Sequence, residues 1–170
     1  DLAGLPARRA ELQATLGETY HGIGLPREAI ALQEKVLEFR RQQDGPDAPA
    51  TLAAKSALAR SEINSRQFEK GIQRHSEVEA ANRRIHGPEH SATVRAMEEL
   101  ASACHYAGKH DRAAALNEEI LRVVQKSRGP DHSETLRAKS NLALTMNALG
   151  RKSEAIAIHA EVLASRRRVQ

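Results

Sequence analysis

The chain has 170 residues, of which 40% are hydrophobic and 28% charged, the balance of a water-soluble globular protein. Its formal charge of +4 comes from 26 basic residues interspersed with 22 acidic ones, which permits a nucleic-acid partner without demanding one. A single cysteine, Cys104, excludes an intramolecular disulfide and points to a reducing, cytoplasmic setting. No apolar run approaches the length of a membrane span, and Asp1 to Arg9 lack the charged-then-apolar order of a signal peptide. The only aromatic residues are Tyr20, Phe39, Phe68 and Tyr106, so any core must be built from Ala, Leu, Ile and Val.

One segment recurs. Gly45-Pro46-Asp47-Ala48-Pro49-Ala50-Thr51-Leu52 returns as Gly87-Pro88-Glu89-His90-Ser91-Ala92-Thr93-Val94 and again as Gly129-Pro130-Asp131-His132-Ser133-Glu134-Thr135-Leu136. The glycines stand at 45, 87 and 129, a constant step of 42, and four such steps fill the chain. A fixed period of this size marks a stacked repeat architecture. We therefore expect one repeat domain over 1–170, with repeats at about 3–44, 45–86, 87–128 and 129–170. The chain lacks an initial Met and ends inside a helical pattern, consistent with an excerpt of a longer protein.

In chain order, the hydrophobic spacing predicts helices over 6–22, 26–43, 49–64, 67–85, 91–107, 110–127, 133–148 and 151–169, two per repeat. The first repeat opens on Ala3-Gly4-Leu5-Pro6, a degenerate form of the turn, and is expected to end the array. Leu16, Leu58, Leu100 and Leu142 fall in register. So do the small residues Gly17, Ala59, Ala101 and Ala143, where two helices would approach closely. Ala29, Gly71, Ala113 and Ala155 form a second small position, and Val36, Val78, Ile120 and Val162 an apolar one. Gly24, Gly108 and Gly150 mark the turn within each pair, with Arg66 as the exception. Between pairs, Gly87 or Gly129 is expected to end a helix in a left-handed conformation and the following proline to prevent its continuation. The Asp/Glu-His-Ser segment is expected to supply capping oxygens to the next helix, and Pro49 suits a first helical position. The second repeat carries Glu62 where the others have Tyr20, Cys104 and Met146, Arg66 for Gly, and Gly71 for Ala. A helical Gly costs about 0.5–1 kcal/mol against Ala, so residues 60–72 are expected to be the loosest hairpin.

No catalytic constellation is visible. There is no phosphate-cradling Gly loop, no HExxH and no GxSxG. Eight histidines show no ligand spacing, so no metal and no cofactor are expected. His90 and His132 recur in the turn, which suggests local hydrogen bonding. Gln33, His75, Asn117 and His159 share a register position, read as a polar packing position. Cys104 is expected to be a buried, inert thiol. Arg166, Arg167 and Arg168 stand in a last helical turn, where complementing the helix dipole is favoured over a nucleic-acid or membrane patch.

The run Asn141-Leu142-Ala143, then Gly150, then Glu154-Ala155-Ile156 resembles the tetratricopeptide repeat, whose ordinary unit is 34 residues. The 42-residue period with Gly-Pro-Asp-His-x-x-Thr-Leu is similar to the kinesin-light-chain type, which is also common in bacterial multidomain signalling proteins. The resemblance implies an all-α, right-handed α-solenoid of four helix-turn-helix repeats, about eight antiparallel helices. Its first helices would line a concave groove that binds extended peptides or partner helices. By position the groove would hold Glu11, Glu18 and His21; Arg60, Ile63 and Asn64; Arg95, Glu98, Ser102, His105 and Tyr106; and Arg137, Ser140, Asn141 and Asn147. In the kinesin-light-chain type the Asn before the Leu-Ala step grips a peptide backbone; Asn141 matches, whereas Thr15, Ala57 and Glu99 stand at that step in the other repeats.

The expected function is thus a non-catalytic protein–protein interaction scaffold with a protein or peptide partner. The alternatives are self-assembly into a homo-oligomer through the terminal helices, and nucleic-acid binding by a basic helical surface. The latter is disfavoured, because the groove set mixes Glu18 and Glu98 with Arg60, Arg95 and Arg137.

Overall fold

The computed structural model describes residues 5–169, with the side chain of Val169 excluded. The turn remnant expected at Ala3-Gly4 lies outside the described residues. The described chain forms eight α-helices: α1 Pro6–Gly22, α2 Pro26–Asp44, α3 Pro49–Asn64, α4 Phe68–His86, α5 Ser91–Tyr106, α6 His110–Arg128, α7 Ser133–Ala148 and α8 Lys152–Val169. Every predicted helix is present, with ends within one residue. The chain divides into two compact units, one ending at Ala81 and the other beginning at Asn82, so the boundary falls inside α4. In the first unit α1 packs on α2, α2 on α3, and α1 touches α3. In the second, α5 packs on α6, α6 on α7 and α7 on α8. Within each unit this is neighbour-on-neighbour packing, in which a helix buries its apolar face against the next in sequence.

The turns have two distinct geometries. Within hairpins the chain closes in a Schellman arrangement. The amide of Leu25 donates to Tyr20 O, Gln67 to Glu62 O, Lys109 to Cys104 O and Arg151 to Met146 O, at 2.8–2.9 Å. The residue this requires at positive φ is Gly24, Gly108 or Gly150 at 73–78°, and Arg66 at 64° in the second hairpin. Between hairpins, Gly45 and Gly129 end α2 and α6 at φ 90°, ψ 166° and φ 91°, ψ 167°. These are not the left-handed helical values expected from the sequence. They lie in an extended positive-φ region open essentially to glycine alone. The carbonyl of each turn glycine accepts from a buried threonine six residues on: Thr51 to Gly45, Thr93 to Gly87 and Thr135 to Gly129, each 2.7 Å.

The capping atom also differs from expectation. Nδ1 of His90 accepts from Ala92 N, and Nδ1 of His132 from Glu134 N, at 3.2 Å. An imidazole nitrogen, not an oxygen, closes these helix starts, and it can do so only while it carries no proton. The turn also stacks His86 on His90, ring centroids 4.4 Å apart. Pro6, Pro26 and Pro49 open α1, α2 and α3 at the position where a missing N–H costs nothing.

In the second unit one core cluster joins Met97, Ala101, Ile120, Val124 and Ala138, and another joins Ala114, Leu142, Ala143, Met146 and Ala155. The small register positions are buried as expected, with Ala59, Ala113 and Ala143 fully excluded from solvent. Cys104 is buried too. Leu16 departs from its register mates Leu58, Leu100 and Leu142: it is 49% exposed, because no earlier described helix covers that side of α1.

Candidate functional site

Within the first unit, the groove residues expected from the sequence fall on α1 and α3. Arg60 Nη2 donates to Glu18 Oε1 at 2.8 Å, linking the first helices of consecutive hairpins. His21 Nδ1 lies 3.1 Å from Ser61 Oγ. Asn64 is exposed at the last turn of α3, and Glu11 is exposed on α1. Ile63, expected in the groove, is instead buried: it packs against Gly71, where an added Cβ would come 2.7 Å from its side chain.

Within the second unit the set falls on α5 and α7. Arg137 Nη2 approaches Glu98 Oε1 at 2.8 Å, again between first helices of consecutive hairpins. Burial pushes the Glu98 carboxyl above its ordinary value, partly offset by the adjacent Arg137 guanidinium. His105 meets Tyr106 edge-on, with centroids 6.0 Å apart, and lies 5.1 Å from the His110 ring. Burial, then the nearby His110, lowers the His105 pKa. Tyr106 itself is 69% exposed. Arg95, Ser102 and Asn147 are exposed, and Ser140 is half-buried with its hydroxyl donating to Leu136 O at 3.0 Å. The backbone of Asn141 is engaged internally, since its carbonyl accepts from Thr145 Oγ1 at 3.0 Å.

One arginine of the basic cluster at the end of α8 is engaged internally. Arg168 Nη2 donates to Asp131 Oδ1 and Ser165 Oγ, both at 3.0 Å. Lys126 bonds Glu89 at the equivalent position one repeat earlier.

At the polar register position one side chain lacks the partner expected of it. Gln33 is 3% exposed, yet neither Nε2 nor Oε1 has a hydrogen-bond partner among the described residues. Leaving such a group unmatched costs about 1–3 kcal/mol. Its register mate Asn117 donates from Nδ2 to Thr145 Oγ1 at 3.0 Å. The acceptor equivalent to Thr145 is Ser61, which is already paired with His21. Gln33 is one methylene longer than Asn117 and fills the space a methyl would take at Gly17, its Cγ 3.0 Å from an added Cβ. Gln33 is among the residues around a cavity of about 300 Å³ between α1, α2 and α3, but its amide nitrogen and oxygen are themselves shut off from solvent. A signal existed in the sequence: the only Gln at that register position coincides with the only Gly at the neighbouring small position.

A larger cavity of about 470 Å³ lies on the other side of α2 and α3 in the same unit. Two of its lining cations, Lys55 and Arg74, are paired with Glu77 and Glu62, each at 2.9 Å. Among the described residues no group of three or more His, Cys, Asp or Glu is placed to hold a metal ion, and no helix is long and apolar enough to cross a membrane.

These hairpins define a class. The chain belongs to the tetratricopeptide-repeat family, whose model matches residues 52–126 and 115–168. The family is one of protein–protein interaction scaffolds and is generally non-catalytic. The fold is of the kinesin-light-chain-like type. It is similar to putative kinesin light chain nearly identical TPR-like repeats of Podosopora anserina, with TM-score 0.62, 21% identity, and 97% of this chain and 98% of that one covered. It is also similar to BtubC (BKLC) from P. vanneervenii, with TM-score 0.80, 18% identity and 94% of this chain covered. The chain spans 64% of that protein's length. A Rap protein complexed with competence and sporulation factor matches at TM-score 0.73 and 11% identity, over 93% of this chain and 42% of that one. At such identities the likeness is one of fold. No curated protein matches the chain.

Proposed function

We propose that this chain is a non-catalytic, cytoplasmic scaffold that holds a peptide or an extended partner segment against its first helices, α1 and α3 in one unit or α5 and α7 in the other. The observation that carries this reading is the repeated ion pair between first helices, Glu18–Arg60 in one unit and Glu98–Arg137 in the other. Each pair leaves charge of both signs on the first helices of its own unit, and in the second unit Arg95, Ser102 and Tyr106 stand exposed on α5. Such a lining suits a polar peptide with its own mixed charges. It suits a phosphate backbone poorly, because a basic surface binds nucleic acid through cations that carboxylates have not neutralised. The Rap protein complexed with competence and sporulation factor lends the fold a precedent for holding a partner. The test is a pull-down from the source cell with the wild type beside an Arg95→Glu, Arg137→Glu double variant. Partner recovery should fall about tenfold or more while far-UV circular dichroism stays helical. Equal recovery would send the site elsewhere.

A second reading, self-assembly through the terminal helix, is favoured by one observation. Ile156 and Leu163, seven residues apart on α8, are 68% and 51% exposed, while Val162 faces the core. Sedimentation should then show a concentration-dependent dimer that Ile156→Glu abolishes; a monomer at high concentration would dismiss it.

A further inference from the structure

We propose that copies of this chain join head to tail, the outer side of α8 in one copy packing on the outer side of α1 in the next. This rests on the self-assembly reading above and names the surface that α8 meets. The carrying observation is that the two sides are the separated halves of an interface the chain already builds between α6 and α7. There Ala114 packs with Leu142 and Ala143, and Val124 packs with Ala138. Leu121 lies against both groups. One step of 42 residues forward carries Ala114 to Ile156 and Leu121 to Leu163. Three such steps back carry Leu142 to Leu16 and Ala138 to Leu12. All four of the side chains so reached are large, apolar and exposed, Leu12 and Leu16 on α1 and Ile156 and Leu163 on α8.

A helix that closes a solenoid carries a polar outer face. α8 instead keeps the Ile and Leu that α2 carries as Ile30 and Leu37, both half-buried on a helix that packs on its successor α3. The partner surface is α1 and not a second α8, because the internal contacts α2 on α3 and α6 on α7 each set a second helix against the first helix of the following hairpin. A further hairpin of the same kind would meet the same surfaces; a second copy is the occupant this chain itself supplies, with its own Leu12 and Leu16 bare. No turn ties α8 to the next copy, so the bulkier side chains can settle further apart than Ala114 and Leu142 do. Charge opposes the contact at one end. Arg166 takes the register of Val124, and Arg8 takes that of Glu134, which internally answers Arg128 of α6 at 3.5 Å. The apolar side chains therefore carry the association, and salt should tighten it by screening the two arginines.

The experiment is sedimentation velocity on the full chain across a concentration series, at low and at high salt, beside Leu16→Glu and Ile156→Glu. Both substituted positions are exposed, and far-UV circular dichroism checks that the variants stay folded. The wild type should grow past a dimer as concentration rises, because a contact between two different surfaces leaves one of each still open. Each variant alone should associate about tenfold or more weakly, since a carboxylate would enter an apolar contact. An equimolar mixture of the two should form a dimer and nothing larger: the Leu16→Glu copy brings an intact α8 and the Ile156→Glu copy an intact α1. If Leu16→Glu assembles like the wild type while Ile156→Glu does not, α8 pairs with α8; head-to-tail joining is then overturned and self-assembly through the terminal helix stands. A mixture that stays monomeric, or association that salt weakens, would also overturn it. A wild type that is monomeric throughout would overturn both.

Discussion

Arg66 and Gly71 show, at the scale of single residues, how one repeat departs from its neighbours. Among the described residues Arg66 is the only non-glycine with positive φ, in the turn where the other hairpins use Gly24, Gly108 and Gly150. An L-residue pays for that conformation through its Cβ, and glycine does not. Arg66→Gly should therefore raise stability by about 0.5–1 kcal/mol, read as a later urea midpoint; an earlier midpoint would refute the account. Gly71 argues in the opposite direction. Helix propensity by itself says that alanine, present in the other three repeats, would be better there by about 0.5–1 kcal/mol. The packing reverses this, since an added Cβ would lie 2.7 Å from the Ile63 side chain and 2.9 Å from Ala59 O. A backbone oxygen cannot move aside as a side-chain tip can, so Gly71→Ala should destabilise by about 1–3 kcal/mol in the same urea experiment. The register position was legible in the sequence; the sign of the substitution was not, because it depends on an interhelical distance.

At the scale of elements, the α3–α4 hairpin is held by a different kind of contact from the rest. Glu62 is 1% exposed, and Arg74 Nε donates to both its oxygens at 2.9 Å. In the other hairpins the equivalent pairs are apolar or nearly so: Tyr20 with Leu32, Cys104 with Leu116, and Met146 with Ile158. Removing one member of a buried pair strands the other, so Arg74→Ala should cost about 3–5 kcal/mol. Replacing both, Glu62→Met with Arg74→Ile as in the last hairpin, should be neutral or stabilising by up to about 4 kcal/mol. Thermal melts of the three proteins check this, and a double variant as unstable as the single one would sink it. The expectation that residues 60–72 form the loosest hairpin keeps two physical supports, Arg66 and the desolvated Glu62. It loses the third, because Gly71 is demanded by close packing. Faster hydrogen exchange there than over 100–114 remains the measurement that decides it.

At the scale of the whole molecule, stability against pH should report two groups that shift in opposite directions. The pKa of His105 is lowered, so its contribution is present above the usual histidine value and lost as pH falls through the depressed one. The pKa of Glu98 is raised, so its contribution is present below the usual carboxylate value and lost as pH rises through the elevated one. His105→Gln should flatten the acid loss below about pH 6.5, and Glu98→Gln should flatten the loss just above about pH 4.5. Urea midpoints measured across pH 4–8 test both, and profiles unchanged by the variants would contradict the assignment. The sequence by itself determined the eight helices, where the chain turns and the small positions at which helices meet, because each follows from hydrophobic spacing and from residues that punctuate a chain locally; the tetratricopeptide class came from its resemblance to that repeat. It also pointed to the polar position shared by Gln33 and Asn117. Only the tertiary structure decided what that position does: which amide finds a partner depends on whether Ser61 or Thr145 is available 28 residues away, a matter of packing distance that no local pattern encodes.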